Sequence, residues 1–256
     1  MKRAVFYLVA LLCSLVLPFS FVAAASADQE LIVSAAASLT NAFGEIGKKF
    51  ESANPGTKVV FNFGASGALF QQIDKGAPVD VFASADQKTM DQAAAKGLII
   101  SGTRKDFVSN ELVLIVPHGT KTPVKTLPDL NASGIGKIAL GNPETVPAGR
   151  YAQEVLTYEG LWDELKPKFI FGESVRQVLD YVSRGEVDAG FVFATDAAVA
   201  KDHVSIALDA TKHEPITYPI SIVGSTKNKD LAKRFVDFVL SEEGQEILSK
   251  YGFKKT

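Results

Sequence analysis

The sequence contains a single cysteine and shows no surplus of charge of either sign. Cys13 lies within the first apolar stretch, so the rest of the chain offers no disulfide, no thiolate metal ligand and no cysteine nucleophile. Lys and Arg number 27 against 29 Asp and Glu, and 46% of the residues are hydrophobic. That composition excludes a disordered, collagen-like or coiled-coil chain. Its slight acidic excess disfavours binding to nucleic acid or to anionic membranes.

Long apolar runs are also lacking beyond the N-terminus. Lys2 and Arg3 precede an apolar run over residues 4–17, and the small residues Ala25-Ser26-Ala27 follow. This pattern predicts a cleaved secretory signal peptide over residues 1–27. No later segment approaches the roughly 18 to 20 apolar residues that a membrane helix needs. We therefore expect an exported, periplasmic protein of 229 residues, whose net charge is −4 once Lys2 and Arg3 are removed.

Strand and helix patterns alternate along the whole remaining sequence. Short runs typical of buried strands are followed by apolar stripes at helical spacing, such as Leu39, Phe43, Ile46 and Phe50. This alternation predicts an α/β fold of largely parallel sheets with helices on both faces.

Two connections in the sequence are suited to crossing between lobes. They lie near Asn110 and near residues 218–221, where β-branched residues are frequent. Two crossings imply that one lobe is discontinuous. We expect a first lobe of residues 28–110 and 221–256 and a second lobe of residues 111–220.

Small or hydroxyl-bearing residues stand at four predicted strand-to-helix turns, over residues 35–38, 64–67, 146–149 and 173–175. In open α/β sheets such turns gather at the carboxyl ends of the strands, where ligands bind. The first N–H groups of a helix lack internal partners and carry partial positive charge. Several helix starts aimed at one point would therefore bind an anion without Lys or Arg.

Each of these turns also has a purely structural interpretation. Ser38 and Ser66 would be ordinary N-caps, Ala148 a residue that follows a helix-starting proline, and Val175 the first core residue of its helix. The coincidence of four such turns in one exported chain favours the anion site.

Catalytic interpretations have less support. Residues 64–68 depart from the G-x-S-x-G nucleophile elbow because Ala68 occupies the last glycine position. No histidine is placed beside a serine, and the Walker A, dinucleotide-binding and H-E-x-x-H motifs are missing from the sequence. An exported serine hydrolase that uses Ser38 or Ser66 remains an alternative.

Four segments carry a family resemblance: AAASLTNAF at residues 35–43, GAPVDVFASAD at 76–86, GNPETVPAG at 141–149 and YGF at 251–253. In this order they resemble the periplasmic molybdate-binding proteins of ABC importers. The resemblance implies a type II periplasmic binding-protein fold, with two α/β lobes and a ligand cleft between them. It also implies a monomer that delivers molybdate, and tungstate as well, to a membrane permease with a cytoplasmic ATPase.

The resemblance further implies the residues of the site. Two serine hydroxyls fall on Ser38 and Ser66, and two ligand-binding backbone N–H groups fall on Ala148 and Val175. No enzyme activity and no cofactor are implied, and molybdenum is present only as the bound oxyanion. The family usually has a tyrosine where this chain has Phe193. Phe193 is therefore expected to wall the cavity without donating a hydrogen bond, which leaves sulfate or another small tetrahedral oxyanion as an alternative ligand.

Overall fold

A computed structural model of the chain describes residues 29–256. The predicted signal peptide, residues 1–27, lies outside the described residues. Within them, no helix combines the length and the apolar character that crossing a membrane requires.

The described residues form ten strands that belong to two sheets. They are β1 (Gln29–Ala36), β2 (Thr57–Gly64), β3 (Val81–Ala83), β4 (Lys105–Ser109), β5 (Leu112–Pro117), β6 (Ile138–Gly141), β7 (Phe169–Gly172), β8 (Ala189–Phe193), β9 (Val204–Asp209) and β10 (Thr217–Ile222). The first sheet has the order β2-β1-β3-β10-β4 and the second the order β7-β6-β8-β5-β9.

The same residues form nine α-helices: α1 (Thr40–Ala53), α2 (Ser66–Asp74), α3 (Gln87–Ala95), α4 (Pro147–Tyr158), α5 (Trp162–Leu165), α6 (Val175–Ser183), α7 (Ala194–Val199), α8 (Lys229–Leu240) and α9 (Glu242–Lys250). Helices α1 to α3, α8 and α9 belong with the first sheet, and α4 to α7 with the second. Each sheet with its helices is one lobe. A short 3-10 turn, Ala37–Leu39, joins β1 to α1.

Both sheets are mixed, whereas the sequence predicts largely parallel ones. Strand β1 runs parallel to β2 and β3, but β10 is antiparallel to β3 and β4. In the second sheet β6 is parallel to β7 and β8, whereas β5 is antiparallel to β8 and β9. The reason is that β5 and β10 enter their sheets directly from the other lobe and not through a strand–helix–strand crossover, which enforces parallel pairing.

Sheet membership locates the two crossings between the lobes. The first spans Asn110 and Glu111, between β4 and β5, and the second spans residues 210–216, between β9 and β10. Strand β10 lies wholly in the first sheet, so the predicted return at residue 221 cuts through this strand and the crossing precedes Thr217. The extent of each lobe as a moving unit stays a prediction.

The helix starts that face the cleft are set by local sequence. Asp86 caps α3 as expected, since its Oδ1 accepts a hydrogen bond from the Thr89 N–H at 3.2 Å. Ser174 caps α6 in the same way through the Gln177 N–H, also at 3.2 Å. These caps fix where each helix begins and therefore where its free N–H groups lie.

Candidate functional site

A small cavity lies between the two lobes, where β1, β2, β8 and the loop after β6 end. It is lined by Ala36, Ala37, Ser38, Gly64, Ala65, Ser66, Ala85, Val146, Pro147, Ala148, Val175 and Phe193. All five residues that the sequence singles out therefore meet at one place. None of these lining residues carries a titratable side chain.

The two serines at the cavity are not helix caps, so the structural interpretation of both is wrong. Ser38 lies inside the 3-10 turn that Ala36 precedes, and Ser66 is the first residue of α2, which begins after Ala65. Neither helix start has a side-chain cap. Both serines are almost completely buried, which leaves their hydroxyls to bond within the cavity and its walls.

Ser66 is held by a backbone donor of the same lobe. Its Oγ accepts a hydrogen bond from the N–H of Ala85 at 2.9 Å. An N–H can only donate, so the Ser66 oxygen is the acceptor and the hydroxyl proton is free for another acceptor. Ala85 lies in the segment between β3 and α3, outside the four turns that the sequence predicts for the site.

The second lobe contributes two helix starts. Ala148 is the second residue of α4, after Pro147, and Val175 is the first residue of α6. Among the hydrogen bonds of residues 29–256, none uses the N–H of Ala148 or of Val175. Both groups line the cavity and carry the partial positive charge of a helix N-terminus.

Phe193 ends β8 directly before α7 and forms a wall of the cavity, as expected. Its side chain is completely buried. The ring lies 5.8 Å from the ring of Tyr218 and 6.4 Å from that of Tyr151, centroid to centroid. Aromatic neighbours in such edge-to-face arrangements fix the orientation of the Phe193 ring.

Sequence reasoning missed a hydrogen-bond network behind Ser38. The Ser38 Oγ lies 3.0 Å from the hydroxyl of Tyr218, which accepts a hydrogen bond from Asn110 Nδ2 at 3.1 Å. Tyr218 is fully buried, and burial raises the pKa of its phenol well above the ordinary value. The three residues are too far apart in sequence for any local motif to relate them.

The charged groups nearest the cavity are paired with each other. Arg176, next to Val175 on α6, donates from Nε to Asp196 Oδ1 at 2.5 Å and from Nη2 to the Ser38 carbonyl at 3.4 Å. Complete burial raises the pKa of Asp196 to about 6, although Arg176 opposes the shift. Arg150 pairs with Asp86 across the cleft, at 3.0 Å from Nε. Neither arginine side chain lines the cavity.

This arrangement offers hydrogen-bond donors and no base. Ser38 is bonded to a tyrosine and Ser66 to a backbone N–H, so among the described residues no histidine or lysine activates either hydroxyl as a nucleophile. Two hydroxyls and two free N–H groups around a small cavity instead suit a ligand that presents only acceptors.

Comparisons with known proteins show the family to which the chain belongs. A family model described as bacterial extracellular solute-binding protein matches residues 31–254. The molybdate-binding protein ModA of Haemophilus influenzae is 38% identical over 243 residues, which cover 93% of this chain and 93% of that protein. A Bacillus subtilis protein, provisionally named an ABC transporter substrate-binding lipoprotein, is 43% identical over 224 residues, 87% of this chain and 85% of that protein.

A solved structure extends the comparison to the fold. The periplasmic molybdate-binding protein of Azotobacter vinelandii matches with a TM-score of 0.79 at 27% identity, covering 88% of this chain and 99% of that chain. The predicted fold, two α/β lobes with a cleft between them, is thereby confirmed. The chain belongs to the bacterial extracellular solute-binding proteins with the type II periplasmic fold, in the group that includes the ModA molybdate-binding proteins.

Proposed function

We propose that this protein captures molybdate in the cavity between its lobes. The observation that carries the proposal is the convergence of neutral donors from both lobes on a cavity without charged lining. Two hydroxyls and two backbone N–H groups hold the anion, and Phe193 walls it in; the donors are those of Ser38, Ser66, Ala148 and Val175. A fully ionised oxyanion has only acceptor oxygens, so a site made of donors satisfies all of them.

The same chemistry ranks the possible ligands. Tungstate has the charge and shape of molybdate and binds to the same donors. Phosphate carries a proton near neutral pH and needs an acceptor, which a cavity lined by donors does not offer. Sulfate is also fully ionised and has the same charge and shape as molybdate, so only the size of the cavity can discriminate against it. The relatives named for molybdate binding support molybdate as the ligand.

The protein then delivers its ligand to an ABC importer, a membrane permease with a cytoplasmic ATPase. A substrate-binding role in ABC transport is in the name of the Bacillus subtilis relative. We propose that the predicted signal peptide directs the protein to the periplasm, where it acts as a monomer without enzymatic activity. Its two lobes, with the second crossing placed before Thr217 and not at residue 221, close on the ligand by rotation about the two crossings.

Calorimetric titration of the exported form with molybdate, tungstate, sulfate and phosphate tests the proposal. We expect molybdate and tungstate to bind much more tightly than sulfate, and phosphate not to bind measurably. The melting temperature should rise with each bound anion because ligand binds only the folded state. Preference for sulfate would show that the Phe193 cavity serves a smaller tetrahedral oxyanion. If the protein hydrolysed an activated ester and lost this activity in Ser38→Ala or Ser66→Ala, the proposed receptor function would be wrong.

A further inference from the structure

A chain of buried hydrogen bonds runs from the first crossing between the lobes to the cavity. It connects Asn110 Nδ2 to the Tyr218 hydroxyl at 3.1 Å, and this hydroxyl to Ser38 Oγ at 3.0 Å. All three side chains are buried. Only Ser38 of the three lines the cavity, so the other two residues can affect a ligand there only through the serine.

The side-chain amide of Asn110 determines which atoms donate and which accept in this chain of hydrogen bonds. The Oδ1 atom of its amide accepts a hydrogen bond from the Glu111 N–H at 2.9 Å, and an N–H can only donate. The amide nitrogen must therefore point the other way, where it lies 2.9 Å from Thr195 Oγ1 and 3.1 Å from the Tyr218 hydroxyl. Its two protons are donated to these two oxygens.

Tyr218 in turn accepts from Asn110 and donates its phenol proton to Ser38. The phenol oxygen accepts from Asn110, and among the hydrogen bonds of residues 29–256 the Ser38 Oγ at 3.0 Å is the only acceptor for the buried phenol proton, so Tyr218 donates to Ser38. Burial raises the pKa of Tyr218, so the phenol keeps this proton at neutral pH. The sheet register shifts between Tyr218 and Pro219, and such irregularities re-aim side chains locally. Here the shift occurs at the residue whose hydroxyl bonds to Ser38.

We infer that Asn110 and Tyr218 are positioning residues that commit the Ser38 hydroxyl to donating into the cavity. The inference rests on the proposed function, in which Ser38 binds an oxyanion. Since the Ser38 oxygen already accepts from Tyr218, its own proton is the atom left for the ligand. The Ala85 N–H likewise donates to the Ser66 oxygen, which leaves the Ser66 hydroxyl proton for the ligand. Each serine oxygen is then left with one lone pair instead of two to accept a proton from the ligand, and this disfavours protonated oxyanions.

A double-mutant cycle tests the inference. Tyr218→Phe keeps the ring and removes only the hydroxyl, and it should weaken molybdate binding about 3- to 10-fold, the value of one net hydrogen bond. In a Ser38→Ala background the same change should cost less than about 2-fold, because the group that Tyr218 orients is gone. Equal losses in both backgrounds would overturn the inference, since a merely structural tyrosine acts independently of Ser38.

Selectivity supplies a second readout. Without the Tyr218 proton, the Ser38 oxygen regains its second lone pair and its hydroxyl can turn to accept from hydrogen phosphate, so the ratio of phosphate to molybdate affinity should rise in Tyr218→Phe. Asn110→Ala removes the donor that sets the direction, and should raise the same ratio if Tyr218→Phe does not fold. An unchanged ratio in both variants would contradict the inference.

Tyr181→Phe is the matched control. Tyr181 is a partly buried tyrosine of α6 that packs against the core, but it neither lines the cavity nor belongs to the chain to Ser38, so its change should leave affinity and selectivity as they are. A wild-type protein that binds no oxyanion would refute the proposed function together with this inference. Binding in the wild type with additive losses in the cycle would refute the inference alone.

Discussion

The backbone N–H of Gly67 donates a hydrogen bond to the carbonyl oxygen of Thr145 at 2.9 Å, and this bond joins the two lobes across the cleft. Gly67 is the second residue of α2, next to Ser66, and Thr145 belongs to the loop before α4, near Ala148. The contact therefore closes the cleft directly beside the cavity donors. The approach is so close that a Cβ atom on Gly67 would lie 2.7 Å from the Thr145 oxygen.

Gly67→Ala should therefore weaken ligand binding by preventing full closure. Overpacking of this kind costs about 1 to 3 kcal/mol, which corresponds to a loss of about 5- to 100-fold in molybdate affinity. Calorimetry measures the affinity, and the melting temperature without ligand should change little because the clash arises between the lobes. Gly44→Ala is the control, since a Cβ at Gly44 meets no atom within 4 Å. Undiminished affinity in Gly67→Ala would show that binding does not need this approach.

Removal of either cavity hydroxyl should weaken binding without harming the fold. A hydrogen bond to a charged group contributes roughly 1.5 to 3 kcal/mol, so Ser38→Ala and Ser66→Ala should each lower molybdate affinity about 10- to 100-fold. The measurement is titration of each variant, with Ser52→Ala as control because its hydroxyl bonds only to the Lys48 carbonyl on an exposed helix face. Two variants with wild-type affinity would exclude these serines from the site.

Phe193→Tyr should tighten molybdate binding. The Phe193 ring lines the cavity, and a hydroxyl added to it gives the anion one more donor, worth up to about 1.5 to 3 kcal/mol. Titration of the variant with molybdate and sulfate measures both the gain and its selectivity. A marked loss of molybdate affinity would mean that the cavity is shaped around phenylalanine, and the identity of its oxyanion would then have to be established anew.

The buried Asp196 should make stability depend on pH. Burial raises its pKa from 3.8 to about 6 in the folded protein, so the folded state holds this proton more firmly than the unfolded state. The contribution of Asp196 is therefore greatest below about pH 4 and is lost as the pH rises through 6, by about 2 to 3 kcal/mol in the free energy of unfolding.

Urea unfolding at pH 4.5 and pH 7 measures this effect against Asp196→Asn, which cannot titrate. From pH 4.5 to pH 7 the free energy of unfolding of the wild type should fall relative to that of the variant. A difference between the two proteins that is the same at both pH values would mean that Asp196 stays ionised throughout, held by Arg176.

Local patterns predict most of the elements. Phe43, Ile46 and Phe50 of the predicted stripe lie in α1, and Leu39 lies in the 3-10 turn directly before it. Asp86 caps α3, as its position before the helix indicates. Strand β4 escapes prediction because Lys105 and Asp106 are charged and only its centre is buried. Strand direction is missed as well, since it depends on the lobe from which a strand arrives.

The candidate site also has one part that the sequence predicts and one part that it does not. Ser38, Ser66, Ala148 and Val175 belong to turns that the sequence marks, and the structure brings them together at one cavity. Tyr218 meets Ser38 across 180 positions of sequence, and only the pairing of β10 into the first sheet brings the two together. Helix starts can be predicted from short motifs. The groups that hydrogen-bond to a site side chain on the side away from the cavity depend on tertiary packing.

The lack of titratable side chains among the residues that line the cavity has a consequence for unloading. Every donor there keeps its proton whether the cavity is full or empty, so the lining itself does not make capture or release depend on pH. The ligand is held by the position of these donors, which come from both lobes. We therefore expect separation of α2 from the loop before α4 to be enough to release the ligand.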